Sequence, residues 1–193
     1  MKLAKSLDRL GTETAFSVLA EAKKLEASGK PMIHLGLGQP DFKTPKHVVD
    51  AAKKALDDGH HGYVLSNGIL ECRQAVSRKI KTLYNQDVDP ERIIIMPGGK
   101  PTMHYAIQCF GEPGVEIIHP TPAFPIYESM INYTGSTPVP YDLTKDKDLK
   151  FNAEEILSLI TEKTRLLILI NPNNPTGSFV EKSEIDKLAK GLE

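Results

Sequence analysis

The residues best suited to ligand chemistry in this chain follow an apolar run and occupy seven consecutive positions. The run RLLILI, residues 165–170, is followed at once by NPNNPTG, residues 171–177. A plain turn needs only one or two residues of the Asn, Pro or Gly type. Ligands in open α/β sheets bind just outside the carboxyl ends of strands, so these amide side chains are candidates to contact a polar ligand.

A second candidate segment is MPGGKPT, residues 96–102, where an apolar run ends in two glycines and a helix is predicted to begin. Gly98 and Gly99 allow a ligand to approach the backbone closely, and the free N–H groups at a helix start attract phosphate. Lys100 adds a positive charge. The segment is neither a dinucleotide-binding glycine pattern nor a P-loop, and alone it is more often a tight turn.

Three further loops contribute candidates. Phe124 follows a predicted strand and is placed to stack on a flat ligand, although it could equally face the core. Gly38 can present its N–H to a carboxylate, although such a glycine is more often part of a turn. Tyr63 lies between two predicted helices, where a tyrosine is usually at the surface. Together the loops indicate a site for a flat, phosphorylated, polar ligand, without a metal.

The elements that position these residues alternate along the chain. Periodicity and capping residues predict helices over residues 13–28, 45–58, 69–85, 101–110, 123–133, 153–160 and 183–192. Strands or extended segments are predicted over residues 32–38, 92–96, 115–120, 137–143 and 165–170. The later strands are continuously apolar, which is typical of a mainly parallel sheet covered on both faces. A further strand would normally follow the last helix, so we expect the chain to be truncated.

Composition narrows the class of protein. Lys plus Arg is 24 and Asp plus Glu is 25, a net charge of −1, which argues against nucleic-acid or anionic-membrane partners. No apolar run approaches the roughly 18 residues of a membrane span. Cys72 and Cys109 are far apart and form no disulfide framework, as in a reducing compartment. We therefore expect a cytoplasmic protein.

At NPNNPTG the chain resembles the class I/II aminotransferases of the fold type I family, which uses pyridoxal 5′-phosphate (PLP). The supporting motifs occur in the expected order: GQPDF at 38–42, Tyr63 with SNGI at 66–69, GGK at 98–100 and Pro-x-Phe at 122–124. The resemblance covers nearly the whole chain, matches the first half of the family and leans toward its aspartate/aromatic/alanine-type branch. It implies an N-terminal arm and small-domain segment, residues 1–45. Residues 46–193 would begin a three-layer αβα large domain.

The resemblance implies a role for each cofactor-binding candidate. Asn174 would hydrogen-bond the phenolic oxygen of PLP and also contact the substrate. Phe124 would stack on the pyridine ring, in a position where the family often has Trp or Tyr. Gly98, Gly99 and Lys100 would hold the phosphate, through backbone N–H groups more than through the Lys100 ammonium.

Other implied features concern the substrate and the partner subunit. Gly38 would contact the α-carboxylate of the substrate through its main chain. Tyr63 would reach the PLP phosphate of the neighbouring subunit, so the resemblance implies a homodimer. The Thr121–Pro122 and Asn174–Pro175 bonds are candidates for cis peptides.

The implied activity is transfer of an amino group between an amino acid and a 2-oxo acid. The lysine that forms the Schiff base with PLP is expected downstream of Glu193, so no catalytic residue is assigned here. We expect the 193-residue chain alone to be inactive. The alternatives are a PLP-dependent lyase or decarboxylase on the same fold, or a truncated, non-catalytic binding or assembly module.

Overall fold

The computed structural model describes residues 2–11, 14–36 and 38–193, and within 14–16 it describes the backbone alone. Two compact units are present. The first combines Met1–Thr14 with Gly99–Glu193, and the second is Ala15–Gly98. These units follow contacts within this chain, and the predicted domain division of the whole protein between residues 45 and 46 stays a prediction.

The described residues contain seven α-helices and three strands. The helices are α1 Thr14–Ala27, α2 Lys46–Asp57, α3 Leu70–Tyr84, α4 Gly99–Phe110, α5 Ile126–Thr134, α6 Ala153–Ser158 and α7 Lys182–Gly191. The strands are β1 Glu116–Thr121, β2 Thr137–Asp142 and β3 Thr164–Leu167. Short 3₁₀ turns lie at Lys5–Arg9, Pro90–Arg92 and Leu143–Lys145.

The first unit is built on a parallel sheet with the strand order β2-β1-β3. Ile118 in the central strand pairs with Val139 of β2 and with Leu167 of β3. Parallel strands need crossover connections; α5 lies between β1 and β2, and α6 lies between β2 and β3. The central strand carries a fully buried isoleucine on each face, Ile117 and Ile118, because both faces are covered.

Helices cover both faces of this sheet. Successive strand residues face opposite sides, and Ile117 and Ile118 are each 0% exposed. Ile117 packs in one cluster with Ile107 of α4 and with Met130 and Ile131 of α5. Ile118 packs in a second cluster that includes Ala153 and Ile156 of α6 and Leu188 of α7. The predicted three-layer α/β fold with a parallel sheet is therefore confirmed.

The N-terminal 3₁₀ turn belongs to the first unit through its arginine. Arg9 donates from Nε to the carbonyl of Asn132 at 2.8 Å and from Nη2 to that of Tyr133 at 2.7 Å. Carbonyls in the last turn of a helix lack partners within the helix, and a cation there interacts favourably with the helix dipole. Arg9 therefore caps the carboxyl end of α5.

The second unit contains α1, α2 and α3, and α3 carries a buried charge. Arg73 is 1% exposed. It donates from Nε to the Gly68 carbonyl at 3.1 Å and from Nη1 to the Pro90 carbonyl at 3.0 Å and to Glu91 Oε1 at 2.8 Å. These bonds join α3 to the segment before it and to the 3₁₀ turn after it.

Two predicted strands are wrong where the structure describes them. Residues 32–36 and 92–96 form no strand, and Leu37 lies outside the described residues. A strand requires a neighbouring strand to complete its hydrogen-bonded ladder. In the described part of the chain, the second segment gains a backbone bond from Ile95 N–H to the Asn67 carbonyl at 3.1 Å instead of a ladder. The strand predicted over 165–170 exists as β3 but ends at Leu167.

Candidate functional site

Two neighbouring strands of the first unit are followed by helices that pack on opposite faces of the sheet. The central strand β1 leads into α5, which packs with Ile117 on one face. Its neighbour β3 leads into α7, which packs with Ile118 on the other. In open α/β sheets such a divergence opens a crevice at the carboxyl ends of the two strands. The segments that follow these carboxyl ends are the Phe124 loop, residues 122–125, and the Asn-Pro loop, residues 171–177.

The Phe124 loop holds its aromatic ring in a defined position. It begins with a cis Thr121–Pro122 bond, as predicted. The half-buried Phe124 ring meets the Tyr127 ring edge-on, with centroids 6.5 Å apart and planes at 84°. The N–H of Tyr127 donates to the Phe124 carbonyl at 3.3 Å, just inside α5. Burial also raises the pKa of Tyr127, so the ring beside Phe124 stays neutral at physiological pH.

The Asn-Pro loop closes on itself through its backbone. Asn173 donates its N–H to the Ser178 carbonyl at 2.8 Å, and its own carbonyl accepts from the Gly177 N–H at 2.8 Å. Gly177 has φ of +71°, a conformation that favours glycine. Asn171 Oδ1 accepts from the Val180 N–H at 3.0 Å. The Asn174–Pro175 bond is cis as predicted, and Asn171–Pro172 is a further cis bond that sequence analysis missed.

Adjacent asparagines of this loop have opposite environments. Asn173 is 6% exposed, and its Nδ2 donates to Thr176 Oγ1 at 2.9 Å and to the Pro122 carbonyl at 3.3 Å. Asn174, the predicted cofactor ligand, is exposed. No hydrogen bond from its side chain is found among the described residues. Asn173 thus bridges the two loops, whereas the Asn174 amide faces solvent with its donors and acceptor available to a ligand.

The start of α4 supplies the predicted phosphate turn. Gly98 has φ of +95°, and α4 begins at the next residue. A Cβ added at Gly99 would meet only Met103 Cε, at 3.8 Å, among the described residues. The side of Gly99 where a Cβ would stand is therefore open. The absence of a side chain, together with the N–H groups of the first helical turn, suits an anion there.

Lys100 and Phe124 are brought together within the first unit. The Lys100 Nζ lies 5.6 Å from the centre of the Phe124 ring, a cation–π geometry. The residue predicted to stack on the cofactor ring, Phe124, is therefore a neighbour of Lys100 in the segment predicted to hold the phosphate.

Gly38 and Tyr63 belong to the second unit, where each is exposed. A Cβ at Gly38 would have no heavy atom within 4 Å among the described residues. The Tyr63 side chain is fully exposed in the segment between α2 and α3. Both lie on accessible parts of their own unit, and their roles toward substrate and partner subunit stay predictions.

A buried histidine in β1 escaped the sequence analysis. His119 is 4% exposed, its Nδ1 contacts the Pro120 carbonyl at 3.0 Å, and its Nε2 is buried without a partner among the described residues. Burial lowers the pKa of His119, although the Pro120 carbonyl and the Glu128 charge oppose this effect. The imidazole is therefore held neutral near physiological pH. Its place in an apolar run, HP after VEII, is the signal that could have identified it.

Asn173 is the second residue whose role was missed. The sequence analysis gave the ligand role to Asn174 and none to Asn173. Two identical neighbours cannot be told apart by residue type, although neighbours in a loop commonly point in different directions.

Across the described ranges 2–11, 14–36 and 38–193, no group of three His, Cys, Asp or Glu side chains is arranged to hold a metal ion. Over the same residues, every helix is too short or too polar to cross a bilayer.

Comparison with known proteins identifies a family and its structures. The family model for aminotransferase class I and II matches residues 30–192. Aspartate aminotransferase of Bacillus subtilis is 34% identical over 190 residues, which is 98% of this chain and 48% of that protein. These matches confirm the resemblance predicted from the ordered motifs. The chain spans about half the length of the curated relatives it matches.

Solved structures agree with the sequence matches. The aspartate aminotransferase from Thermus thermophilus with maleate superimposes with a TM-score of 0.93 at 30% identity, covering 100% of this chain and 50% of that one. An alanine aminotransferase from Pyrococcus furiosus gives a TM-score of 0.91 at 28% identity, covering 98% of this chain and 49% of that one.

Proposed function

This chain belongs to the aminotransferase class I and II family, and from that premise we propose that the whole protein is a PLP-dependent aminotransferase. It would transfer an amino group between an amino acid and a 2-oxo acid. The observation that carries the proposal is the contact between the loops that follow β1 and β3. The Phe124 loop and the Asn-Pro loop are joined by the bond from Asn173 Nδ2 to the Pro122 carbonyl.

Three residues of the first unit fit PLP. Gly99 lies at the amino end of a twelve-residue helix and leaves room where a Cβ would stand. Phe124 offers a half-buried aromatic ring that Tyr127 holds in place. Asn174 offers an exposed amide. An anion, a flat ring and a polar ring substituent are thus each matched by a suitable group.

Each residue would have a specific task with the cofactor bound. The N–H groups at Gly99 and Lys100 would hold the phosphate, strengthened by the dipole of α4. Gly98 would permit the turn through its positive φ. Phe124 would limit the tilt of the pyridine ring. Asn174 Nδ2 would donate to the ionised phenolic oxygen and so favour its deprotonated form.

When bound, PLP supplies the electron sink that lets a bond to the substrate α-carbon break. No lysine of this chain is assigned the role of carrying PLP and moving the proton. Gly38 would orient the substrate α-carboxylate through its N–H. Tyr63, which is fully exposed on its unit, would donate to the cofactor phosphate of the partner subunit in a homodimer.

The amino donor and acceptor are proposed only as classes. The relatives include an enzyme named for aspartate and a structure named for alanine. We therefore propose a small amino acid and a 2-oxo acid without choosing between these donors. We also propose a cytoplasmic location, because Cys72 and Cys109 are both free thiols, as is usual in reducing compartments.

The test uses the complete protein with PLP. Aspartate and alanine are each incubated with 2-oxoglutarate, and formation of the new amino acid and the new 2-oxo acid is measured together. Equal amounts of both products are expected. Release of carbon dioxide or ammonia without formation of glutamate would favour the lyase or decarboxylase alternative, and failure to bind PLP would favour a non-catalytic module.

Asn174→Ala provides the site-specific arm of this test. Removing a hydrogen bond to the ionised phenolic oxygen should raise the pH midpoint of the cofactor absorbance band. A bond to a charged group contributes about 1.5–3 kcal/mol, so the expected rise is roughly one to two pH units. PLP should still bind. An unchanged midpoint would contradict the role given to Asn174.

A further inference from the structure

The buried side chain of Asn173 lies at the start of a hydrogen-bonded chain that crosses three segments. Its Nδ2 reaches the Pro122 carbonyl in the Phe124 loop and Thr176 Oγ1 in the Asn-Pro loop. Thr176 Oγ1 lies 2.7 Å from Ser178 Oγ. Ser178 Oγ then donates to the carbonyl of Leu149 at 2.8 Å.

The direction of donation in this chain follows from counting hydrogens. A serine hydroxyl has one hydrogen, and that of Ser178 is directed at the Leu149 carbonyl. The hydrogen between the two hydroxyls therefore comes from Thr176, which leaves Thr176 Oγ1 only as an acceptor toward Asn173. The Pro122 carbonyl is also an acceptor. Both neighbours of the Asn173 amide thus require its NH₂ group, which fixes the amide orientation.

This geometry gives the two amide hydrogens of Asn173 separate functions. One orders the Asn-Pro loop internally, and the other ties that loop to Pro122, two residues before Phe124. The other amide atom, Oδ1, is buried without a partner among the described residues. An unpartnered buried acceptor lowers stability. Asn173 therefore acts more by fixing the positions of the two loops than by stabilising the fold.

We propose that Asn173 is a positioning residue that sets the spacing between Phe124 and Asn174, and hence the way in which both contact PLP. The inference rests on the proposed function for its PLP component, whereas the bridge between the loops stands on the geometry alone. Asn173 itself does not touch the cofactor in this proposal. It acts through Asn174, its neighbour in the chain, and through Pro122.

The first test measures amide hydrogen exchange in the complete protein without PLP. Asn173→Asp keeps the size of the side chain but removes both donors and places a negative charge against two acceptors. Faster exchange is expected in residues 121–127 and in residues 171–178 together. Thr176→Val removes the hydroxyl and spares the bond to Pro122, so faster exchange should be confined to residues 171–178.

Asn152→Asp is the matched control, because it makes the same chemical change in the same unit. The Asn152 side chain caps α6 by accepting from the Glu155 N–H at 3.1 Å, and an aspartate performs this task equally well. Exchange in both loops should equal that of the native protein. If Asn173→Asp leaves residues 121–127 unchanged, the bridge is overturned. If Asn173→Asp does not fold, Asn173→Ser is used in its place. Its short, uncharged side chain cannot span both acceptors.

The second test adds PLP. Asn173→Asp should raise the dissociation constant for PLP by about tenfold or more, which is about 1.4 kcal/mol. At saturating PLP it should shift the pH midpoint of the absorbance band in the same direction as Asn174→Ala. Destabilisation alone would lower the melting temperature but not move that midpoint. A normal midpoint at saturation would therefore overturn the positioning role.

The two proposals fail in different ways. If the native complete protein does not bind PLP, the proposed function fails, and hydrogen exchange still decides whether Asn173 bridges the loops. If the native protein binds PLP and the folded Asn173 variant behaves like Asn152→Asp, the inference about Asn173 fails and the proposed function is untouched.

Discussion

The ammonium nitrogen of Lys100 lies 5.6 Å from the centre of the Phe124 ring, so the charge at the start of α4 is directed at the aromatic ring that follows β1. Because Lys100 is exposed, this cation–π contact contributes on the order of 0.5–1 kcal/mol. This position supports the expectation that backbone N–H groups, more than the Lys100 ammonium, hold the phosphate.

Lys100→Met should therefore raise the dissociation constant for PLP by less than about tenfold, because the helix dipole and the N–H groups remain. The measurement is an absorbance titration of the complete protein with PLP, at low and at high salt. Lys100→Arg, which keeps the charge, is the control. An increase of about a hundredfold, or ~2.8 kcal/mol, in the Met variant alone would identify the ammonium as a principal phosphate ligand.

Gly99→Ala should separate cofactor binding from folding. The added Cβ would lie 3.8 Å from Met103 Cε, an ordinary contact, and Ala favours a helix more than Gly does. The melting temperature should therefore be unchanged or slightly higher. The PLP dissociation constant should rise by about tenfold or more, because the methyl group occupies the open space at the helix start.

Gly111→Ala is the contrasting variant at the other end of α4. Its Cβ would lie 2.6 Å from Thr134 Oγ1 and 2.9 Å from the Ile107 carbonyl. Such overpacking typically costs about 1–3 kcal/mol of stability. We expect a lower melting temperature with an unchanged PLP dissociation constant. If Gly99→Ala destabilises the protein and leaves PLP affinity intact, Gly99 serves folding and not the phosphate.

Arg73 allows a test of what holds the second unit together. Arg73→Met should reduce stability by about 1–3 kcal/mol for each carbonyl affected, because it leaves the Gly68 and Pro90 carbonyls without their donor. Glu91→Gln should cost less than about 1 kcal/mol, since the Glu91 side chain is 66% exposed. Hydrogen exchange in α3 and in residues 66–69 measures both effects. Equal losses in the two variants would show that the ion pair dominates over the carbonyl contacts.

Much of the first unit could be predicted because the residue types within each short segment are enough to indicate a strand or the end of one. The apolar runs of β1 and β3 mark strands buried on both faces, and the Pro- and Asn-rich segments mark where those strands end. Pairing is not local, and the runs at 32–36 and 92–96 look equally suitable for strands. Residue type does not reveal that the described chain offers them no neighbouring strand.

The division of tasks within the Asn-Pro loop shows the same limit for the site. Family resemblance selects Asn174, and the structure leaves that amide exposed. The function of Asn173 depends on the Pro122 carbonyl, 51 positions earlier in the chain. A contact over that sequence distance depends on how the strands pair, so it became visible only with the fold.

His119 predicts a pH dependence of stability that one substitution should remove. Burial lowers its folded pKa below the ordinary value of 6.5, and Nε2 has no partner among the described residues to offset the cost of a charge. Between the two pKa values the unfolded chain binds more protons than the folded one. Stability from this residue is therefore complete above about pH 6.5 and is lost as the pH falls from there toward the folded pKa.

The loss should amount to about 1.4 kcal/mol for each unit by which the folded pKa is lowered. His119→Met removes the titrating group and keeps an apolar side chain of similar length on a strand face that carries Ile117. The variant should therefore lose less stability than the native protein between about pH 7.5 and about pH 5. Hydrogen exchange of the β1 amides across this range in the complete protein measures the difference. His47→Met, at an exposed position in α2, controls for the removal of any histidine. If native protein and His119→Met show parallel pH profiles, the buried imidazole carries no part of the acid sensitivity.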